Sequence, residues 1–364
     1  MPLTVLSVAY PFTYVGEDAV GGSEQIITIL DRALTEAGHR SLVLATEGSK
    51  VRGTLLASPR AKRVLNSAIR EQGQRLHKRL IAQTLARNSV DLVHMHTLDF
   101  HQYLPPDGTP TLATLHLPPS WYPARIFHLR RAGFYLNCVS ASEQKACPPS
   151  SLLLPPISNG VDIGRFAPSQ AKRTHALALG RVCPEKAFHV ALDAARMAGV
   201  DFVLAGEVFP YQHHRDYFER EIVPRLSKRR QFVGPVDFDT KKRLLAEASC
   251  LLVTSEVQET SSLVAMEALA AGTPVIAFPA GALPEIVEHG RTGYIVANAR
   301  EMADAIAAVG EIDRDECKKV ARRRFSSDRM VAEYLRAYRR IITGTSTRSE
   351  RPRTIAAGSW LVNW

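Results

Sequence analysis

Two glutamates in the stretch ETSSLVAMEALAAG, residues 259 to 272, could hold a hydroxylated ligand. Glu267 sits in an otherwise apolar helical run of Leu263, Val264, Ala265, Met266, Ala268, Leu269 and Ala270. A bare buried carboxylate is costly, so Glu267 needs a partner. Sugar or ribose hydroxyls suit it, because a carboxylate accepts two hydrogen bonds in parallel. Glu259 stands eight positions earlier. Between the two acids, Ser261, Ser262 and Leu263 open the helix and would offer free N–H groups to a diphosphate. The plainer alternative is a helix glutamate at the solvent edge.

Cations gather in a second segment, ALGRVCPEKA, residues 178 to 187. Arg181 follows a strand-like run, and Lys186 falls where a helix is expected to open. Two positive charges are unfavourable beside the positive end of a helix dipole unless an anion joins them, so this pair points to phosphate. Gly21, Gly22, Ser23 and Glu24 follow the first strand-like run. Glycines permit close backbone approach, and a helix beginning at Ser23 would offer N–H groups to an anion. Alternatively, Ser23 is an ordinary N-cap. His116 ends another strand candidate, where open α/β sheets place their ligands. It suits hydrogen bonding or proton transfer. His94, His96 and His101 lie close together in sequence, but no acid or cysteine completes a metal site with them, and no metal is expected.

The elements that would carry these residues alternate. Strand-like runs are expected at 3–9, 40–46, 91–96, 111–116, 136–140, 175–180, 201–205, 229–234, 250–254, 274–278 and 293–296. Helical patterns lie between them, notably at 23–37, 185–198, 263–271 and 300–309, with a mostly helical basic stretch up to Arg87 interrupted near Pro59. Such alternation predicts parallel sheets covered by helices. A Pro-rich break, LLLPPISNGVDIGRFAPS, divides the series, which gives an α/β chain of two units joined near residue 165. An amphipathic helix is expected at 329–342, with Met330, Tyr334, Leu335 and Tyr338 inward. A Ser-, Thr-, Arg- and Gly-rich tail, residues 343–364, is expected to be flexible unless Trp360 and Trp364 dock.

The chain has 364 residues, 45% of them apolar and 23% charged, a balance that fits globular domains and excludes collagen, disulfide scaffolds and long disorder. No apolar run reaches the roughly 18 residues of a membrane span. The amino terminus lacks a basic signal-peptide region. The five cysteines lack CxxC spacing and read as small core side chains in a reducing compartment, so the expected location is cytoplasmic. The net charge is +10. Ten basic residues against the single acid Glu71 lie between Lys50 and Val90. That field suits an anionic partner or a peripheral position on the inner membrane surface. No aromatic interleaving or recognised module marks a nucleic-acid binder, and none is expected.

Taken together these motifs resemble a family 4 retaining glycosyltransferase of the GT-B class (glycosyl transferases group 1). The matching segments are GGSE at 21–24, NGVD at 159–162, ALGRVCPEKA, the run from Glu259 through GTPV at 272–275, and GALPEIVEHGRTGYIV at 281–296. The resemblance covers residues 1 to 340. It implies two Rossmann-like βαβ domains facing each other across a deep cleft. The acceptor side would be residues 1–165 and the nucleotide-sugar side residues 166–328. The helix 329–342 would cross back to the first domain.

The resemblance implies that Arg181 and Lys186 contact the donor diphosphate, Glu259 the sugar hydroxyls and Glu267 the ribose. The amides of Ser262, Leu263 and Val264 would lie by the phosphates. Gly22 would close over the diphosphate, and His116 would stand near the donor sugar. Many relatives have E-G-F-G where this chain has Glu259-Thr260-Ser261-Ser262, and Cys183 occupies a position commonly small or polar. The implied activity is metal-independent, retaining transfer of a hexose-type sugar from a nucleotide diphosphate sugar, with a UDP-sugar favoured. The acceptor is a hydroxyl compound, with anionic and lipid-linked acceptors both open. The donor is a co-substrate, and no cofactor is expected. Rival readings are a nucleotide-sugar epimerase of the same fold and a non-catalytic nucleotide-sugar binder.

Overall fold

A computed structural model describes residues 1–60, 66–166 and 175–349. In the first unit β1 (Thr4–Val8), α1 (Gly22–Glu36), β2 (Arg40–Thr46), β3 (Thr54–Ser58), α2 (Ser67–Arg87), β4 (Leu92–Met95), β5 (Thr111–Leu115), β6 (Phe134–Cys138) and α3 (Ala141–Ala146) follow one another. The six strands pair in the order β3-β2-β1-β4-β5-β6, all parallel. β1, β4 and β5 are almost wholly buried. Parallel strands covered on both faces show continuous apolar runs of this kind.

The second unit contains β7 (His175–Leu179), α4 (Phe188–Met197), β8 (Phe202–Ala205), α5 (Gln212–Tyr217), β9 (Arg230–Gly234), α6 (Phe238–Glu247) and β10 (Ala248–Val253). It continues with α7 (Leu263–Ala270), β11 (Val275–Ala277), α8 (Leu283–Ile286), β12 (Gly293–Ile295), α9 (Ala299–Ala308) and α10 (Arg314–Phe325). Its strands run β12-β11-β10-β7-β8-β9, again all parallel. Both sheets therefore have the doubly wound order. In each, the order reverses between the first and fourth strands of the unit, and ligands of such sheets bind at the carboxyl ends beside that point. The last helix, α11 (Ser327–Ser349), returns to the first unit. Its Met330, Tyr334, Tyr338 and Ile341 are buried with Val5, Ile26, Leu30, Leu34, Leu92 and Leu112. Burying each such side chain contributes about 1.5–3 kcal/mol.

The chain passes between the units at two places that lie side by side. Val161 N–H donates to Phe325 O at 2.8 Å, and Ser327 N–H donates to Val161 O at 2.9 Å. Arg329 donates to the carbonyls of Ser158 and Asn159. Arg32–Asp162 and Arg165–Glu17 bridge across the same junction at 2.8 and 3.0 Å.

Several expectations need correction. The basic stretch contains a strand, β3, because Thr54–Ser58 adds to the edge of β2. Five of its cations, Arg70, Arg75, Lys78, Arg79 and Arg87, are exposed on α2, and Lys62 and Arg63 lie outside the described residues. Helix α1 begins at Gly22 with Gly21 as N-cap, so Ser23 is not the cap; its hydroxyl donates to Glu24 instead. The expected helix 185–198 is divided. Pro184–Lys186 forms a 3-10 turn, Ala187 adopts a left-handed conformation at φ 46°, and α4 starts at Phe188. α11 continues to Ser349, so the terminal helix does not stop at 342. Trp360 and Trp364, with the rest of the tail beyond 349, lie outside the described residues.

Candidate functional site

Residues from both units meet at the carboxyl ends of the strands. The exit of β7 carries Arg181 and Lys186, and the exit of β10 carries Glu259 and then α7. The exit of β1 leads to Gly22, and the exit of β5 to His116. A methyl group built on Gly22 would lie 3.6 Å from the Leu263 side chain. Thr260 Oγ1 donates to the His116 carbonyl at 2.9 Å. The two halves of the candidate site thus touch directly.

Lys186 Nζ forms an ion pair with Glu259 Oε1, which also accepts from Ser255 Oγ. The Glu259 side chain is 10% exposed and that of Lys186 is 29% exposed. Lys186 stands just before Ala187, the N-cap of α4, and its charge at that helix end is met by Glu259. Arg181 leaves the same strand but is exposed, with its guanidinium over the Phe209 ring at 5.6 Å. Among the described residues, no hydrogen bond or ion pair joins Arg181 to Lys186 or Glu259.

The backbone of Glu259 is held by Ala282 N–H, which donates to its carbonyl at 2.7 Å. Gly281 passes close beneath at φ +58°, and a Cβ there would fall 2.2 Å from Glu259 O. Gly281→Ala meets both a strained φ and a backbone clash. It is expected to cost more than about 1 kcal/mol of stability and to depress activity by displacing Glu259. Thermal unfolding alongside a turnover assay checks this.

Ser262 is the N-cap of α7 and makes no side-chain bond to the helix. The neighbouring Ser261 Oγ is buried without a partner. Leu263 and Val264 form the first turn, so the free amides lie where the Gly22 loop approaches. Glu267 is 5% exposed on the same helix. Its partner in the structure is Lys241 Nζ on α6, at 2.6 Å. Burial pushes its carboxyl up, and Lys241 opposes the shift. Lys241 was invisible to local sequence reasoning because it stands 26 residues away on another helix.

His116 Nε2 lies 3.0 Å from His96 Nδ1, and its backbone N–H donates to Tyr122 Oη at 3.1 Å. Burial lowers His116 to about 3, so the ring is neutral and suited to hydrogen bonding rather than to standing as an imidazolium. His94 uses both nitrogens, on Tyr338 Oη and Thr114 Oγ1, each at 2.7 Å, and fixes α11 to the sheet. His101 pairs with Gln102 instead. These three histidines make no metal cluster among the described residues.

Two acids steady the first unit's side of the cleft. Glu285 on α8 accepts from the amides of Ala141 and Ser142, so an acid of the second unit caps α3 of the first. Within α3, Glu143 accepts from Val139 N–H, while its Oε1 is buried without a partner. Burial raises its pKa from 4.5 to about 9. The folded chain keeps this proton where the unfolded chain loses it. Its contribution to stability is therefore full below pH 4.5 and is lost as pH rises towards 9. Glu143→Gln is expected to flatten that decline relative to wild type, as read from urea midpoints across this pH range.

Residues 173–311 match the family model described as "Glycosyl transferases group 1". Over 188 residues the chain is 31% identical to glycogen synthase of Mycobacterium tuberculosis, covering 49% of this chain and 44% of that one. Over 257 residues it is 30% identical to the D-inositol 3-phosphate glycosyltransferase of Geodermatophilus obscurus, covering 59% and 53%. The chain spans about half the length of these curated relatives. Among solved structures, sucrose-phosphate synthase from Thermosynechococcus elongatus matches with a TM-score of 0.76 at 18% identity, over 94% of this chain and 99% of that one. HepE of Anabaena, solved with UDP-glucose, matches with 0.71 at 20% identity, over 92% and 100%. These structural likenesses establish the two-unit α/β GT-B fold.

Proposed function

We propose that this chain, which has the GT-B fold, is a group 1 glycosyltransferase that transfers a hexose-type sugar from a nucleotide diphosphate sugar to a hydroxyl acceptor with retention of anomeric configuration. The observation that carries the reading is the meeting of Lys186, Glu259 and the start of α7 with Gly22 and His116 of the opposite unit. Lys186 and the free amides of Ser262, Leu263 and Val264 supply positive potential for a leaving diphosphate, with Arg181 at the rim. Glu259, held by Lys186 and Ser255, accepts from sugar hydroxyls, and Glu267 is placed for the ribose. Neutral His116 orients the sugar from the acceptor side. These side chains and amides perform the charge stabilisation without calling on a metal.

In the proposed front-face step, the bond between sugar C1 and the diphosphate oxygen breaks. The acceptor oxygen bonds to C1 on the same face, and its proton passes to the leaving phosphate oxygen. Closure of the two units around the donor limits its hydrolysis. A UDP-sugar is favoured by the HepE complex with UDP-glucose; the starch synthase neighbour bound to ADP makes adenine donors the first comparison.

The acceptor belongs to the first unit. A cavity of about 250 Å³ lined by Pro11, Phe12, Arg60, Gly73 and His77 lies beside the exits of β1 and β3. With the exposed cations of α2, it favours an anionic or lipid-linked acceptor and a cytoplasmic enzyme bound peripherally at the membrane. No helix among the described residues is long and apolar enough to cross a membrane.

The test is proton NMR of wild-type protein with UDP-glucose and its ADP counterpart, alone and with candidate phosphorylated acceptors. Nucleotide release with a product of the donor's anomeric configuration is expected. An inverted product contradicts retention, and nucleotide binding without release by any donor favours the non-catalytic reading.

A further inference from the structure

Cys183, Glu185 and His214 form a cluster that the transfer chemistry does not use. Cys183 lies in the turn leaving β7, Glu185 two residues later, and His214 on α5 of the same unit. One donor atom from each (the thiol sulfur, a carboxylate oxygen and a ring nitrogen) lies within 4.8 Å of the other two. His214 is 3% exposed and its Nδ1 has no hydrogen-bond partner. Glu185 Oε2 is likewise buried and unpartnered. Cys183 is fully buried, and its sulfur lies 3.5 Å from the Arg181 carbonyl and beside the Glu185 carboxylate. Unpartnered buried polar atoms are costly, and here two of them flank one thiol.

We propose that Cys183, Glu185 and His214 bind one zinc-class transition-metal ion. Sulfur and imidazole donors select such an ion over magnesium or calcium, which prefer all-oxygen sites. Zinc bonds of about 2.0–2.3 Å place tetrahedral donors roughly 3.3–3.8 Å apart, so modest side-chain rotation closes the cluster on the ion. Three protein ligands leave the fourth position to water. Coordination takes the Cys183 proton to solvent. Thiolate, carboxylate and a divalent cation then sum to zero charge, so the neighbouring Arg181 faces a neutral site. The ion ties the 181–187 turn, which carries Arg181 and Lys186, to the segment bearing Phe209 and His214. It is a positioning site, away from the reacting atoms, and its assignment does not depend on the identity of the donor.

Cobalt(II) is the probe. Chelator-stripped full-length protein is titrated with Co²⁺, and thiolate-to-cobalt charge transfer in the near ultraviolet is followed. One equivalent per chain is expected, with displacement by Zn²⁺ and a rise in thermal midpoint on adding Zn²⁺. Cys183→Ser should abolish the band, and His214→Gln should weaken binding at least 10-fold. Cys138→Ser should leave it unchanged, which excludes the other close thiol pair, Cys138 and Cys147, whose sulfurs lie 3.5 Å apart. Circular dichroism checks that each variant is folded; if Cys183→Ser is not, Glu185→Gln combined with His214→Gln gives the same reading. No band from folded wild-type protein overturns the site. So does a band that persists in Cys183→Ser, or in the double variant.

Discussion

Lys186→Ala is expected to lower sugar transfer by about 10²–10³-fold, the usual cost of deleting one preorganised group that stabilises developing charge. The ammonium stands at the exit of β7, paired with Glu259 beside the start of α7. Its removal takes a positive charge from the proposed diphosphate site and leaves Glu259 with Ser255 alone. Breaking a fully buried pair costs about 3–5 kcal/mol. Here the stability loss should be smaller, because 29% of the Lys186 side chain is exposed. The variant should therefore remain folded while turnover collapses. Lys186→Arg keeps the charge but not the compact geometry, and partial recovery is expected. Turnover and unfolding measured on the same preparations check the assignment. A wild-type rate in Lys186→Ala would remove Lys186 from the machinery.

Glu259→Ala is expected to reduce sugar-dependent turnover by a factor comparable to that of Lys186→Ala, while nucleotide affinity falls far less. The carboxylate is almost fully enclosed, and Lys186 and Ser255 converge on its Oε1. That leaves Oε2 to accept from a sugar, and a site built to bond a hydroxyl discriminates strongly when the partner is lost. The proposed nucleotide contacts lie instead with the amides of α7 and with Glu267. Kd for the free nucleotide and for its sugar conjugate, set beside the rate, separates these roles. Equal loss of nucleotide binding and turnover would contradict the assignment of Glu259 to the sugar.

Much of the fold was legible because buried parallel strands are continuous apolar runs. β2 at Arg40–Thr46 and β7 from His175 lie within a residue of where alternation places them. β3 was hidden because its five residues sit among cations and gain their order from pairing with β2. The break at Ala187 was hidden because the left-handed conformation falls on an alanine, where sequence carries no glycine signal. At the site, the spacing of Glu259 and Glu267 and the Arg181–Lys186 segment could be read locally. Their partners could not. Lys241 meets Glu267 from another helix, Ser255 meets Glu259 within a loop, and Thr260 meets His116 across the two units. The Cys183–Glu185–His214 cluster joins the turn after β7 to helix α5 and shows no spacing motif.

The most direct test is calorimetric titration of UDP, GDP and ADP, and then their glucose conjugates, into wild-type protein and Lys186→Ala. Selective binding of one nucleotide by wild type, tightened by its sugar and weakened in Lys186→Ala, is the predicted result. Folded wild-type protein that binds none of them, or a Lys186→Ala variant that binds its nucleotide sugar unchanged, would contradict a donor site at the meeting of the two sheets.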